Sequence, residues 1–447
     1  MTKCPKDNVF YRNLNWHYPK IVKGEGIYLY DENGKRYIDG CSGSAVANIG
    51  HGNKEVAKAM EKQASTIAFT HLSRFTTDAI INLADKVAEM APGDLNKCYF
   101  VSGGSESTET AIKMARTYFL ERDGVTRKYK IISRWNSYHG NTIGALSMTG
   151  HTARRRKYDP YLINFSHIPA PYCYRCPYGQ TYPECGLKCA YALETEILQQ
   201  GAENVAAFIS EPVIGSAAPG VHPPKEYYKI IREICTKYDI LMISDEVMAG
   251  FGRTGKNFGI DHYEVVPDML TTAKGMSSGY SPLGATVVRD EIYDTIAKGS
   301  GRFTHGHTYG GNPLSCAVGC IVLDIIKREN LVENARKMGE YLMEKLQSLY
   351  KYPIVGDIRG KGLMIGIEFV KDKETKEPFD PKQNVQGLVT VKALNNGLVL
   401  YPGGGSVDGV RGDHELLAPP INITKDEVDE LFEKLDKSIK EASDELC

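Results

Sequence analysis

Residues 97–120, KCYFVSGGSESTETAIKMARTYFL, pass from an apolar run through two glycines into a helical pattern. Ala111, Ala115 and Tyr118 recur at the spacing of one helix face, so the stretch predicts a strand, a tight turn and a helix. Four more short apolar runs follow, and helix-like segments separate several of them: YKIISR (129–134), VAAFISEP (205–212), ILMISDEV (240–247) and DMLTTAK (268–274). This alternation predicts an α/β fold with a mostly parallel sheet.

The composition limits the class of protein. The chain has 447 residues, enough for two or three domains, and its 42% hydrophobic and 24% charged residues are ordinary for a globular protein. A formal net charge of -1 argues against a nucleic-acid partner. The N-terminal stretch MTKCPKDNVF lacks the apolar core of a signal peptide, and no run approaches the roughly 18 apolar residues of a membrane span. Eleven cysteines without a secretion signal favour reduced thiols and a cytoplasmic protein.

Changes of pattern divide the chain into three segments. Residues 1–75 include IVKGEGIYLYDENGKRYIDG (21–40), whose alternation around Asn33-Gly34 predicts a hairpin. Residues 76–335 carry the alternation of strands and helices and are expected to form the large domain. Residues 336–447 are expected to form a smaller α+β domain, to which the N-terminal segment contributes.

Several polar residues follow strands, where open α/β sheets bind their ligands. Gly104 and Ser105 open a helix whose free N–H groups suit a phosphate, although an ordinary cap has the same pattern. Asp245 follows a buried strand and either meets a cation or caps a helix. Tyr138 either stacks on a flat ring or only packs. Thr308 either donates to a phosphate or caps a helix.

Lys274 ends the run DMLTTAK and is followed by glycine and small polar residues. It is either the cap of a strand edge or a partly desolvated amine able to form a Schiff base. A phosphate cradle, an aspartate for a pyridinium, a stacking ring and a lysine for an aldehyde are together what pyridoxal 5'-phosphate requires.

The order of the motifs resembles the class III (omega-type) aminotransferases among the fold-type I pyridoxal phosphate enzymes. The resemblance covers nearly the whole chain, through the motifs YLYDENGKRYIDG, GHG, SGGSESTETAIKMAR, YHG, SEPV, SDEVMAGFGRTG, TTAKG, HTYGGNPLSCA, GKGLMIGIEF and LLAPPINIT. It implies a large domain with a mostly parallel sheet of seven strands, a smaller α+β domain, and ping-pong transfer of an amino group to a 2-oxo acid. An aminomutase or a racemase of the same family is the alternative, and a non-enzymatic metal-binding scaffold is a third hypothesis.

The resemblance also implies roles for individual residues. Lys274 is the Schiff-base lysine and the proton carrier, and Asp245 pairs with the pyridine nitrogen. Val247 and Tyr138 lie on the two faces of the ring. The other cofactor positions are Gly104, Ser105, His139, Glu211 and Thr308. Because Thr308 matches a residue that reaches the phosphate of a neighbouring subunit, a homodimer with the site at its interface is implied, with a tetramer as the alternative.

Departures from the family pattern bear on the substrate. Met248 stands where many members have a glutamine that contacts the ring hydroxyl. Leu416 and Asn141 stand where the ornithine and 4-aminobutyrate enzymes carry carboxylate-binding arginines. These gaps favour an omega-amino acid such as beta-alanine, taurine or a simple amine as donor, with pyruvate or 2-oxoglutarate as acceptor. Three positions are candidates for contacts to the substrate, with a packing or solvated residue as the alternative at each: Trp16, one of Arg154 to Arg156, of which Arg156 is preferred, and Arg411.

A cluster of four cysteines stands apart from these motifs. CYRCPYGQTYPECGLKC (173–189) contains Cys173, Cys176, Cys185 and Cys189. A C-x2-C pair followed by a C-x3-C pair could hold zinc in a tetrahedral thiolate site or could be a tight loop with reduced thiols. The chemistry above needs no metal, and none is assigned to the site.

Overall fold

The N-terminal part of the chain begins with a small antiparallel sheet. The computed structural model describes residues 7–446; residues 1–6, which open the stretch MTKCPKDNVF, and residue 447 lie outside the described residues. The first three strands are β1 (Ile21–Glu25), β2 (Tyr28–Asp31) and β3 (Arg36–Asp39). Strands β2 and β3 pair antiparallel across Asn33-Gly34, so the predicted hairpin is confirmed.

Seven strands form the central sheet. They are β4 (Leu95–Val101), β5 (Lys130–Arg134), β6 (Ser166–Ile168), β7 (Val205–Ser210), β8 (Leu241–Asp245), β9 (Met269–Thr272) and β10 (Gly284–Arg289). Their order across the sheet is β4-β10-β9-β8-β7-β5-β6. Strand β10 runs antiparallel to both its neighbours, and the other four pairings are parallel. The predicted α/β fold with a mostly parallel sheet is confirmed.

A third sheet lies in the C-terminal part. The remaining strands are β11 (Val355–Lys361), β12 (Met364–Phe369), β13 (Leu398–Val399), β14 (Tyr401–Gly404) and β15 (Asp413–Leu417). Strands β11, β12, β15 and β14 pair antiparallel in that order. Strand β13 instead pairs parallel with β3, so the C-terminal part completes the N-terminal sheet. The domain boundaries at residues 75 and 335 stay a prediction.

Thirteen α-helices are present among residues 7–446. They are α1 (Ser42–Ala45), α2 (Lys54–Thr66), α3 (Asp78–Met90), α4 (Gly104–Asp123), α5 (Ile143–Met148), α6 (Thr152–Arg155), α7 (Lys188–Gln200), α8 (Tyr227–Lys237), α9 (Asp290–Lys298), α10 (Pro313–Arg328), α11 (Leu331–Leu346), α12 (Val385–Asn395) and α13 (Lys425–Leu446). Strand β4 followed by α4 confirms the interpretation of residues 97–120. None of the helices in this described part is long and apolar enough to cross a membrane.

The central sheet is buried on both faces. Successive residues of its strands join different apolar clusters: Phe208 and Met242 belong to one, and Ile209 and Ile243 belong to the other. This is the alternation expected of strands covered by helices on both sides. Since β4, β5, β7, β8 and β9 run in the same direction, their carboxyl ends meet at one edge of the sheet. The loops at that edge carry most of the polar residues selected from the sequence.

Candidate active site

A cavity of about 280 Å³ opens at the carboxyl edge of the central sheet. Eight of the nine predicted cofactor positions line it: Gly104, Ser105, Tyr138, His139, Glu211, Asp245, Val247 and Lys274. They come from the ends of five different strands, so the sheet brings together residues that are far apart in the chain. Met248 also lines the cavity, where it packs against Gly215.

Lys274 follows β9 and is partly buried in this cavity. Its Nζ donates a hydrogen bond to the backbone carbonyl of Ser44 at 2.9 Å. Burial lowers the pKa of Lys274 below the ordinary value of a lysine. Its backbone has a φ of 46°, a left-handed conformation that is costly for a residue with a side chain and needs a surrounding structure to hold it. An amine that loses its proton easily can attack a carbonyl carbon.

Asp245 ends β8 and is held by two hydrogen bonds. Its Oδ1 accepts the Val247 N–H at 3.1 Å, and its Oδ2 lies 2.7 Å from His139 Nδ1. Both side chains are buried, and His139 Nε2 has no hydrogen-bond partner within residues 7–446. Nδ1 of His139 is therefore the donor in this pair, because Asp245 offers only acceptors. The carboxyl group of Asp245 lines the cavity, where it could pair with a protonated ring nitrogen.

The N-terminus of α4 forms another part of the cavity wall. Ser105 Oγ accepts the Asn141 N–H at 3.0 Å, which joins the start of α4 to the loop after β5. A Cβ atom at position 104 would lie 2.9 Å from Val247 Cγ1, so only glycine lets the helix come this close to the valine. Helix N–H groups and the helix dipole favour an anion at this end.

Glu211 organises two loops around the cavity. Its Oε1 accepts the Tyr138 N–H and its Oε2 accepts the Gly215 N–H, both at 2.9 Å. Burial raises the pKa of Glu211. The backbone of Tyr138 is thereby fixed, and Tyr138 and Val247 both line the cavity. An aromatic and an aliphatic side chain, a helix N-terminus and a carboxylate in one cavity suit a flat ring that carries a phosphate and a basic nitrogen.

Four residues selected from the sequence lie outside this cavity. Thr308 is exposed on the segment before α10 and does not line the cavity, and its contact with a neighbouring subunit stays a prediction. Trp16 lines a separate groove with Lys35 and Leu394. Arg411 is exposed and pairs with Asp408, with Nε 2.7 Å from Oδ2.

Arg156 is the fourth, and a nearby arginine occupies the cavity in its place. Arg154, on α6, lines the cavity, whereas Arg156 directly follows that helix and is exposed. Two residues correspond to roughly 200° of helical rotation, so the two side chains leave opposite sides of the turn.

The sequence did not single out several residues that line the cavity. They are Arg12, Ser44, Ser216 and Tyr401, whereas Arg154 was named only within the row of candidates at 154–156. Tyr401 belongs to β14, so the C-terminal sheet also contributes to the site. Ser44 belongs to α1, where Ser42 and Ala45 have left-handed backbones with φ of 48° and 55°. Among the cavity residues outside the predicted cofactor positions, only the arginines at 154–156 were noticeable in the sequence. Three arginines in a row do not show which of them faces the cavity.

The four clustered cysteines are not arranged around a common point in the described structure. Cys173, Cys176, Cys185 and Cys189 are free thiols. In the part of the chain that the structure describes, no group of three or more His, Cys, Asp or Glu side chains is arranged to hold a metal ion. Burial raises the pKa of Cys189 to about 11, so its thiol stays protonated at neutral pH.

Known proteins resemble the chain over nearly its whole length. The family model described as aminotransferase class III matches residues 12–439. An uncharacterized aminotransferase of Bacillus subtilis, YodT, is 39% identical over 420 residues, which cover 94% of each chain. A putrescine–pyruvate aminotransferase of Pseudomonas aeruginosa is 37% identical over 94% of this chain and 91% of its own. The crystal structure of an (S)-enantioselective omega-transaminase from Thermomicrobium roseum is 40% identical, with a TM-score of 0.91 over 98% of this chain and 96% of that one.

Proposed function

This chain belongs to the class III aminotransferases, which are enzymes dependent on pyridoxal phosphate, and from that premise we propose its reaction. An omega-amino acid, a taurine-like compound or a simple amine gives its amino group to a 2-oxo acid in a ping-pong mechanism. The observation that carries the proposal is the meeting of Lys274, Asp245 and the N-terminus of α4 in one cavity.

The proposed roles follow from the position of each side chain. Gly104 and Ser105 hold the phosphate, Tyr138 and Val247 hold the ring, and Asp245 pairs with its nitrogen. When bound, pyridoxal phosphate supplies an aldehyde and a ring that withdraws electrons. Lys274 would hold the cofactor by its aldehyde. Its Nζ would also take and return the proton of the substrate carbon that bears the amino group, and its lowered pKa suits that task.

His139 and Glu211 have supporting roles in this proposal. His139 donates to Asp245 and holds the carboxylate in its orientation. Glu211 fixes the loops that carry Tyr138 and Gly215, since both its oxygens accept backbone N–H groups. Neither residue needs to touch the substrate.

A homodimer is the proposed assembly. Large apolar side chains are exposed beside Thr308: Phe69 (44%), Leu72 (37%), Phe75 (67%) and Tyr309 (64%). They belong to neighbouring segments, because the Phe69 and Tyr309 rings lie 6.0 Å apart. Burying this surface against a second copy would bring Thr308 toward the partner's phosphate. Light scattering during gel filtration measures the assembly, and a monomer at micromolar concentration would contradict it.

The acceptor is proposed to be pyruvate or 2-oxoglutarate. The name of the putrescine–pyruvate relative supports pyruvate. Neither Leu416 nor Asn141 can bind a carboxylate as the arginines of the ornithine and 4-aminobutyrate enzymes do, so those two donors are not expected.

A donor and acceptor screen tests the proposal. The purified protein loaded with pyridoxal phosphate should have a visible absorption band that bleaches with beta-alanine, taurine or an amine and returns with pyruvate or 2-oxoglutarate. Each amino group lost by the donor should appear on the acceptor. A donor rearranged or racemised without consumption of an acceptor would instead establish the aminomutase or racemase alternative.

A further inference from the structure

Arg154 is a half-buried cation of the catalytic cavity that pairs with no carboxylate within residues 7–446. Its guanidinium lies over the Tyr138 ring, 4.6 Å from the ring centre. Nη2 donates to Tyr401 Oη at 3.0 Å and to Ser216 Oγ at 3.3 Å. These contacts hold the guanidinium firmly, but all its partners are neutral. A partly desolvated cation without an anion is costly, so this one needs an anionic ligand.

The carboxylates of the cavity are already engaged elsewhere. Glu211 accepts two backbone N–H groups, and Asp245 is held by His139 and Val247. No other carboxylate lines the cavity in the part of the chain described. The anion that Arg154 requires must therefore come from a bound molecule.

Tyr401 is placed to help Arg154 bind that anion. Its oxygen accepts from Arg154, so its own proton is available to a further acceptor. Burial raises the pKa of Tyr401, but Arg154, a hydrogen bond with Ser216 and Lys274 outweigh burial and lower the pKa below its ordinary value. A more acidic phenol is a stronger hydrogen-bond donor. Tyr401 and Lys274 line the same cavity, so an anion held there lies next to the reacting amine.

We propose that Arg154, Tyr401 and Ser216 form a clamp for the acidic group of the substrates. The clamp takes the carboxylate or sulfonate of the donor in one half-reaction and the carboxylate of the 2-oxo acid in the other. This inference rests on the proposed function and narrows it to donors that carry an acid, such as beta-alanine and taurine. A diamine would bring its second ammonium group toward Arg154, where no carboxylate is free to receive it.

Binding of propionate to the loaded enzyme tests the clamp without turnover. Propionate has the chain length of beta-alanine and lacks the amine, so it measures the anion site alone. By calorimetric titration, Arg154→Met should weaken propionate binding about 10- to 100-fold, and Tyr401→Phe should weaken it about 3- to 10-fold. Arg154→Lys keeps the charge without the forked geometry and should fall between wild type and Arg154→Met.

Two other arginines that could bind the anion are compared with Arg154. Arg156 is exposed outside the cavity, and Arg12 lines its rim but is exposed. Arg156→Ala should bind propionate within about twofold of wild type. Arg12 lines the same cavity from an exposed position, so Arg12→Ala should weaken propionate binding less than Arg154→Met does. If either variant shows the large loss and Arg154→Met does not, the assignment to Arg154 is overturned.

Matched donors extend the test to the reaction. Beta-alanine and n-propylamine differ only by a carboxylate in place of a methyl group. Arg154→Met should lower the half-reaction kcat/KM ratio of beta-alanine to n-propylamine about 10- to 100-fold. An equal loss for both donors would mean that Arg154 only supports Tyr138, and it would overturn the clamp. Should the wild-type enzyme aminate no 2-oxo acid, the proposed function fails, while the propionate titration still decides the clamp.

Discussion

Asp245→Asn tests whether a single buried charge controls the chemistry of the site. The amide has almost the size of the carboxylate, but it is neutral and carries two N–H donors. If its oxygen keeps the Val247 N–H, its nitrogen must face His139 Nδ1. Two nitrogens that both carry hydrogen cannot bond, so His139 must move its proton to Nε2.

Each of these changes has an expected cost in free energy. Nε2 of His139 is buried and has no partner in the described chain, and an unsatisfied buried donor costs about 1–3 kcal/mol. The substitution would also remove the charged partner of the protonated ring nitrogen. The loss of one partner of a buried ion pair costs about 3–5 kcal/mol. At 1.36 kcal/mol for each factor of ten, the half-reaction should slow roughly 10²- to 10⁴-fold. The phosphate site is untouched, so the cofactor should stay bound.

Two measurements separate these effects. Stopped-flow absorbance at saturating donor gives the half-reaction rate constant of the loaded enzyme, and the thermal unfolding midpoint of the cofactor-free protein gives the stability cost. Asp268→Asn is the matched control, because Asp268 is a buried carboxylate before β9 that pairs with Arg232 at 2.7 Å, at the opposite edge of the same sheet. The control should lower the unfolding midpoint and leave the rate constant within about threefold. A rate constant of Asp245→Asn within tenfold of wild type would refute this reasoning and reduce Asp245 to a helix cap.

Two further predictions concern residues of the cavity, Lys274 and Gly104, and a third concerns His414 on β15. Lys274→Ala should fold, lose turnover and give no borohydride-stable adduct, whereas peptide mapping of the reduced wild type should find the cofactor on Lys274; an adduct on another lysine would contradict the assignment. Gly104→Ala places a methyl group 2.9 Å from Val247 Cγ1, so the dissociation constant of pyridoxal phosphate should rise at least about tenfold, and an unchanged value would show that the helix start can move. Burial lowers the pKa of His414 from 6.5 to about 3. Between these two values the histidine binds a proton in the unfolded chain but not in the folded protein. Stability is therefore lost as pH falls, by about 2 kcal/mol at pH 5; in thermal unfolding, His414→Leu should lose less stability than wild type between pH 7 and pH 5, and equal losses would count against the buried neutral histidine.

Residues at strand ends were the part of the site that the sequence could predict. Gly104, Asp245 and Lys274 each follow an apolar run, and parallel strands bring their carboxyl ends to one edge. Once the strands are recognised in the sequence, their parallel arrangement is enough to predict that these three residues meet. The same reasoning predicted the α/β fold, because the alternation of strands and helices is visible in the hydrophobic pattern.

Residues contributed through other geometry could not be predicted. Ser44 meets Lys274 through a backbone carbonyl, which any residue type provides, so its identity gives no signal. Tyr401 reaches the cavity from a different sheet. The residues next to it in the sequence do not show where that sheet lies relative to the central one. Arg154 differs from Arg156 only in its direction around a helix of four residues, which is too short to show a period. Arg154, and not the preferred Arg156, is thus the member of the row 154–156 that lines this cavity.

The pairing of β3 with β13 has a consequence for synthesis of the chain. Residues 36–39 leave the ribosome early but find their parallel partner only when residues 398–399 have emerged, more than 350 residues later. The carbonyl that holds Lys274 Nζ lies just after β3, at Ser44. Hence the central sheet can assemble during translation, but the lysine obtains its final environment only near termination. A ribosome stalled before residue 398 should carry a nascent chain with a folded central sheet and an incomplete catalytic centre.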